Sequence, residues 1–230
     1  MRPKRLIFPL VIGLAGAGVL ASLGKWQLDR LAWKEGVLAE IEARIDAPPV
    51  AVPSAPEEET DKYLPVVAEG DILGASLHSV TSVPRVGPGH RLISVFQLDD
   101  GRRVMVDEGF VPGGGDVSPG GAERVSVLGN LHWPDEVDDW TPAPDLTQNL
   151  FYGRDVAAMA AALGTEPTLI VAREISGVAP RAAPLPVTSV GIPNNHLGYA
   201  VQWFGLAAVW TGMTAFFIWR MTRRGEKGTS

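Results

Sequence analysis

The chain has 230 residues, a formal net charge of −6 and no cysteine, and 46% of its residues are hydrophobic. The lack of cysteine excludes disulfides, thiolate metal sites and covalent attachment of a c-type haem. Residues 36–195 include 23 acidic and 10 basic side chains, a net charge of −13. Because such a surface repels the phosphates of nucleic acids, we expect no nucleic-acid partner.

The first apolar segment covers residues 6–23 and follows a basic start of the chain. It is long enough to cross a bilayer, which takes about 20 apolar residues in a helix. Gly13, Gly16 and Gly18 within it favour close packing against another helix. A cleaved signal peptide is the alternative interpretation, but the small-residue cleavage pattern near Ala21 is poor.

Helical periodicity continues beyond this segment. Trp26, Arg30 and Trp33 follow one another at spacings of four and three, which places them on one face of a helix. Residues 37–45 extend the same periodicity with charged residues between the apolar ones. Residues 47–61 contain four prolines and an acidic run, and they predict a linker that holds neither a helix nor a core.

From residue 63 the apolar residues alternate with a period of two, which predicts strands. The predicted strands cover 63–72, 77–83, 91–98, 103–111, 124–131 and 168–175, and an alanine-rich helix covers 155–163. Gly164 ends that helix, and the turn Asp-Asp-Gly-Arg at 99–102 predicts a hairpin. About six strands and one helix indicate a compact β-rich domain, with an open barrel as one arrangement.

The β-rich region offers no recognisable catalytic set. The serines lack a nucleophile elbow, and His78, His90 and His132 do not have the spacing of metal ligands. We expect surface or structural roles for them. Glu136 and the other carboxylates of an acidic loop at 133–148 are expected to be solvated. We therefore expect no enzyme activity.

The second apolar segment, residues 197–219, contains no charged side chain and is followed by a basic tail. It too is long enough to cross a bilayer. Basic residues flank both ends of the first segment, so it does not decide the orientation. The second has them only at its C-terminal end, and two spans place both termini on one side, so both termini are predicted in the cytoplasm and the middle of the chain outside. The fold class is then an α+β membrane protein, with two transmembrane helices flanking a small extracytoplasmic β-rich domain.

Four regions follow from these patterns. They are an N-terminal transmembrane helix with its outward extension (1–34), an amphipathic helix and a linker rich in proline and glutamate (35–61), the β-rich domain (62–193), and a C-terminal transmembrane helix with a basic tail (194–230).

Pro193-Asn194-Asn195 has the pattern of a helix start with an asparagine cap, which places His196 in the first turn. His196, Tyr199 and Trp203, together with Trp210, fall on one side of this helix. The glycines at 198, 205 and 212 repeat every seven residues on the opposite side. We expect the glycine stripe to pack against the first transmembrane helix and the histidine side to face away from it.

A neutral imidazole beside flat aromatic walls can ligate haem iron. Arg30 and Lys34 are candidate partners for the haem propionates. A capped or solvent-facing histidine is the alternative interpretation of His196.

Four blocks of sequence carry a resemblance to a known family. They read LGKWQLDRLAWK at 23–34, VMVDEGFVP at 104–112, YGRDVAAMA at 152–160 and NNHLGYAVQWFGLA at 194–207. Their order and the two flanking apolar segments are similar to bacterial members of the surfeit locus protein family, which are assembly factors of haem-copper cytochrome c oxidase. One departure is Glu108, which stands where the family usually has an arginine.

The resemblance implies a protein of the bacterial inner membrane whose central domain is periplasmic. It implies that haem a binds transiently, with His196 as the iron ligand. We expect Tyr199, Trp203, Trp26 and Arg30 to complete the haem site. Subunit I of the oxidase is the implied recipient, and haem a synthase is a further candidate partner. A cofactor-free scaffold that stabilises nascent subunit I is the alternative.

Overall fold

The computed structural model describes residues 4–113, 121–190 and 192–226. In chain order its elements are α1 (Lys4–Ile45), α2 (Glu58–Asp61), β1 (Pro65–Val83), β2 (Gly87–Leu98), β3 (Arg103–Pro112), β4 (Glu123–Leu131), β5 (Leu150–Phe151), α3 (Val156–Leu163), β6 (Leu169–Ser176) and α4 (His196–Glu226). They form two compact units. The helical unit combines Met1–Glu40 with Val190–Ser230, and the β domain is Ile41–Ser189.

Two long helices have the length and composition to cross a membrane, over Leu6–Ile45 and His196–Arg223. The first of them, α1, is a single helix of 42 residues. This confirms that helical periodicity continues past the first apolar segment. The α+β layout, with an apolar helix before and after the sheet, is also confirmed.

The two helices pack in antiparallel directions, because Gln27 of α1 meets His196 of α4 while Gly13 meets Trp210. The indole of Trp210 lies against Gly16 and donates its Nε1–H to the carbonyl oxygen of Gly13 at 3.0 Å. Small residues of α1 thus form recesses that receive aromatic side chains of α4.

The expectation that the glycine stripe of α4 packs against α1 is wrong. No described atom lies within 4 Å of a Cβ built on Gly198, Gly205 or Gly212. At Gly24 of α1, by contrast, such a Cβ would lie 2.8 Å from Cζ of Phe204. An aromatic ring in a glycine recess makes many more dispersion contacts than two small faces do, which accounts for the choice of face.

All six strands belong to one sheet, in the order β2-β3-β6-β4-β1-β5. Because β2 also pairs with β1, the sheet closes into a barrel through β1, β2, β3, β6 and β4, with β5 at its edge. The barrel is therefore closed and not open. The predicted hairpin is confirmed, since β2 and β3 pair antiparallel around residues 99–102.

Strand β1 closes the barrel, and here the prediction of two short strands at 63–72 and 77–83 is wrong. The strand is continuous over Pro65–Val83, with a register shift between Ile72 and Ser76. Gly74 lies at this register shift, which is a β-bulge. The glycine therefore marks a bend within one strand and not a turn between two strands. The bend lets β1 pair with β4 through its first half and with β2 chiefly through its second half.

The segment 47–61 has more structure than its prolines predict. Glu58–Asp61 forms a single helical turn, and Lys62 makes an ion pair of 2.6 Å with Glu58 across it. Val50 also pairs with Val66 at the start of β1. The prediction of a segment without helix is therefore wrong for this one turn.

Helix α3 follows its predicted signals closely. The side chain of Asp155 caps the helix by accepting a hydrogen bond from the amide of Ala158 at 3.0 Å. Gly164 ends it in the left-handed conformation, with φ of 68°, which glycine adopts without steric cost. The helix covers one of the two apolar clusters of the domain, formed by Leu77, Ile93, Met105, Phe151, Val156, Met159, Ala160, Leu169 and Val171.

Candidate functional site

His196 is the first residue of α4, as the asparagine-rich start predicts. The amide of Tyr199 donates to the carbonyl oxygen of Asn195 at 3.2 Å, which is the first turn of the helix. The imidazole is partly exposed. The free amides of a helix start favour a negatively charged group nearby.

The imidazole of His196 is held by Gln27 of α1. Its Nδ1 lies 2.8 Å from Oε1 of Gln27, and the glutamine is only 9% exposed. Because an amide oxygen accepts, the contact is a hydrogen bond in the tautomer with the proton on Nδ1, and that tautomer leaves the lone pair on Nε2. This is the arrangement that orients a histidine for binding a metal through Nε2.

The histidine side of α4 therefore faces α1, and the expectation that it looks away from α1 is wrong. Sequence reasoning missed Gln27 as the partner of His196. A signal for it was present, since Gln27 lies fourteen residues after Gly13 and shares its position in a seven-residue repeat along the contact face.

The other residues predicted around His196 are at least partly exposed to solvent. Tyr199 is 51% exposed and Trp26 is 56% exposed, while Trp203 is partly buried. The guanidinium of Arg30 stacks over the ring of Trp33, 3.8 Å from its centroid. No hydrogen bond or ring contact found among the described residues joins these side chains to His196.

A second polar cluster lies inside the β domain. The side chain of Asp107 is fully buried and accepts from Nη1 of Arg91 at 2.7 Å and from Nη1 of Arg154 at 3.1 Å. Arg154 also donates to Glu136 from its Nε at 3.0 Å. Two arginines thus share two carboxylates.

The side chain of Glu136 is 41% exposed, as expected of a solvated carboxylate, and it also pairs with Arg154. Within the described residues, no group of three or more His, Cys, Asp or Glu side chains is placed to hold a metal ion. The cluster has the character of a structural network, in which each charge has a partner.

Glu108 is a buried carboxylate with partners of its own. It occupies the bulge of β3 and is 5% exposed. It accepts from Oγ of Ser94 at 2.6 Å and from Nε of Arg181 at 3.1 Å. The chain after β6 returns over β3 here, where Phe110 and Ala183 exchange backbone hydrogen bonds. The carboxylate thus anchors this return segment from within the fold.

His132 gives the β domain a pH dependence that can be measured. Burial lowers its pKa to about 4, and the positive charges of Arg154, Lys62 and Arg91 act in the same direction, opposed by Glu136. The unfolded chain takes up this proton near pH 6.5, whereas the folded chain takes it up only near pH 4. The contribution of His132 to stability is therefore complete above pH 6.5 and is lost as the pH drops to about 4, by on the order of 3 kcal/mol.

Urea unfolding of the full-length protein between pH 7.5 and pH 4 measures this loss. We expect His132→Asn to reduce the loss of stability over this interval, because the variant lacks the imidazole of His132. A variant that loses as much stability as the wild type over the same interval would contradict the assignment.

The sequence of the chain is similar to those of known proteins. The model of the SURF1 family matches residues 14–208, which include both Gln27 and His196. Surfeit locus protein 1 of Xenopus tropicalis is 30% identical over 213 residues, covering 83% of this chain and 69% of that protein. Surfeit locus protein 1 of Homo sapiens is 28% identical over 239 residues, with 90% and 75% covered.

A bacterial relative shows similar coverage. The SURF1-like protein of Rickettsia felis is 27% identical over 200 residues, covering 82% of this chain and 87% of that protein. The match to the family model extends over most of the chain, from within the first apolar helix to within the last. The chain therefore belongs to the SURF1 family.

Proposed function

We propose that this protein is a membrane-anchored assembly factor of haem-copper cytochrome c oxidase. In this role it binds haem a transiently through His196 and supports its insertion into subunit I. Membership of the SURF1 family supports the assembly role, and two helices able to span a bilayer support the anchor. The single observation that carries the haem part is the 2.8 Å contact between Nδ1 of His196 and Oε1 of Gln27.

The proposed location is the bacterial inner membrane, with both termini in the cytoplasm and the β domain in the periplasm. Antiparallel packing of α1 and α4 supports a common side for the termini. Arg220 and Arg223 at the far end of α4 support the cytoplasm as that side, since basic residues favour it.

The residues of the site fit a haem in specific ways. Haem a would supply an iron that accepts an imidazole nitrogen, and His196 would hold it through Nε2 while Gln27 orients the ring through Nδ1. Arg30 offers a guanidinium to a propionate, and Trp26 and Trp203 offer aromatic surface. A single protein ligand on a partly exposed ring suits temporary holding of a cofactor that is to be passed on.

The absorption spectrum of the purified protein tests this proposal. The full-length chain is produced in cells that make haem a, purified in detergent, and its haem is identified after extraction. We expect haem a in a ratio approaching one per chain when the recipient subunit is absent. Well-folded protein that never carries haem a, even after titration with it, would overturn the haem part of the proposal.

Replacing Gln27 by leucine is expected to weaken haem binding about 10- to 100-fold, the usual cost of losing the group that orients a metal-binding histidine. Gln27→Glu is the matched control, because it keeps an oxygen acceptor for Nδ1. Titration of haem into the protein in nanodiscs, followed at the Soret band, measures both affinities. Equal affinities for wild type and Gln27→Leu would show that the contact with Gln27 does not orient the ligand.

One observation favours a second candidate function, the cofactor-free scaffold for subunit I. The open glycine stripe of α4 leaves room for the close approach of another membrane helix. A scaffold would still co-purify with subunit I from cells in which haem a synthesis is blocked. Loss of that complex in the absence of haem would count against the scaffold and favour haem transfer.

A further inference from the structure

The loop between β4 and β5, residues 132–149, exposes an unusual amount of apolar surface. Trp140 is 91% exposed, and on the same loop Leu146 is 63% exposed and Val137 is 45% exposed. Tryptophan combines a large apolar surface with a polar N–H, and at protein interfaces it often contributes a large part of the binding energy. Such an exposed apolar group on a folded domain marks a surface that another molecule covers.

The β4–β5 loop is held in place by its own hydrogen bonds. Oδ1 of Asp138 accepts from the amide of Trp140 at 3.0 Å and from the hydroxyl of Thr141 at 2.9 Å. Oδ1 of Asp145 accepts from the amide of Thr147 at 2.9 Å. Because Trp140 sits on a backbone that is already ordered, a partner binding there would lose little free energy to ordering the loop.

The charge of the loop indicates the chemistry of its partner. The loop contains five carboxylates and no lysine or arginine. Arg154 pairs with Glu136, whereas no described lysine or arginine forms an ion pair with Asp135, Asp138, Asp139 or Asp145. Exposed acidic residues around an apolar side chain are complementary to a basic rim around an apolar pocket. Anionic lipid headgroups, by contrast, would be repelled.

We propose that the β4–β5 loop is a docking surface for a protein partner that receives Trp140 in an apolar pocket bordered by lysine or arginine. This surface belongs to the β domain and does not involve His196. It stands or falls independently of haem binding.

Photo-crosslinking of the full-length protein in cells tests the proposal. Benzoyl-phenylalanine is placed at position 140, and at position 86 as a control, since Val86 is also highly exposed but lies in the turn between β1 and β2. We expect position 140, and not position 86, to capture one protein, and the sequenced crosslinked segment to carry lysine or arginine beside apolar residues. Equal capture at both positions, or a captured segment without basic residues, would overturn the proposal.

A charge exchange makes the test specific. The double substitution Asp135→Lys and Asp139→Lys, at two carboxylates that do not hold the loop, is expected to abolish capture, and acidic residues in place of the basic ones of the captured segment are expected to restore it. Capture that survives the double substitution would show that charge complementarity plays no part. With the captured partner purified, Trp140→Ala is expected to lower affinity about 30-fold, the effect of losing a hot-spot residue.

Two controls separate folding and lipid binding from docking. Thermal unfolding of Trp140→Ala should match that of the wild type, because the side chain is almost wholly exposed. Vesicles of phosphatidylcholine and of phosphatidylglycerol are then mixed with protein held in detergent-free nanodiscs. A blue shift of fluorescence that is lost in Trp140→Phe would identify a membrane surface as the occupant and overturn the protein partner.

Discussion

Asp107→Ala is expected to lower the free energy of unfolding of the β domain by about 3–5 kcal/mol. The side chain of Asp107 is fully buried, and the side chains of Arg91 and Arg154 that it pairs with are only 11% and 8% exposed. Removing the carboxylate leaves two largely buried guanidinium groups without their shared acceptor. The loss is a large part of the 5–15 kcal/mol that stabilises a typical domain, so the variant should be largely unfolded in mild urea.

Urea unfolding of the full-length protein in detergent, followed by near-ultraviolet circular dichroism, measures this effect. Glu69→Ala is the matched control, since Glu69 pairs with Arg124 at 3.5 Å on the exposed surface of the domain. Such exposed pairs contribute little. If Asp107→Ala unfolds at the same urea concentration as Glu69→Ala, the buried network does not stabilise the domain.

His196→Ala is expected to remove haem a from the purified protein, leaving a Soret absorbance near background. The other three histidines, His78, His90 and His132, all lie in the β domain, so His196 is the sole imidazole of the helical unit. Without Nε2 of His196 the iron has no imidazole ligand within that unit.

His78→Ala provides the matched control for this substitution. It removes a partly exposed histidine from the β domain and should leave the haem content unchanged. Equal haem content in wild type and His196→Ala would exclude His196 as the ligand. Loss of haem in both variants would point instead to a general effect on folding.

Local signals in the sequence predict a good part of the fold. Asp155 and Gly164 mark the two ends of α3 because one side chain satisfies a free amide and the other residue tolerates a left-handed backbone. The acidic turn at 99–102 predicts the β2–β3 hairpin for a similar reason. These features depend on a few neighbouring residues, so the sequence alone is enough to find them.

Contacts between distant residues were harder to predict. Asp107 and Arg154 are separated by 46 residues, and Glu136 lies in a stretch of acids typical of a solvated loop. These charges meet only in the folded domain. In the same way, the bend at Gly74 depends on β1 having two partner strands, which its own sequence does not reveal.

The packing of α1 against α4 shows a third reason why a prediction from sequence was wrong. Both α1 and α4 carry glycines at helical spacing, so both had the pattern of a close packing surface. Which glycines form the contact depends on the side chains of the facing helix. Here the rings of Trp210 and Phe204 fit the recesses at Gly16 and Gly24. Shape complementarity of this kind is a property of the pair and cannot be seen in either helix alone.

The packing of α4 side chains against glycines of α1 has a consequence for biosynthesis. Ribosomes make α1 before α4, with the β domain translated between them. During that interval Gly13, Gly16 and Gly24 lack the side chains of α4 that lie against them, which are Thr214, Trp210 and Phe204. The two helices can therefore pack only late in the maturation of each newly made chain. The contact between Gln27 and His196 forms at the same late stage.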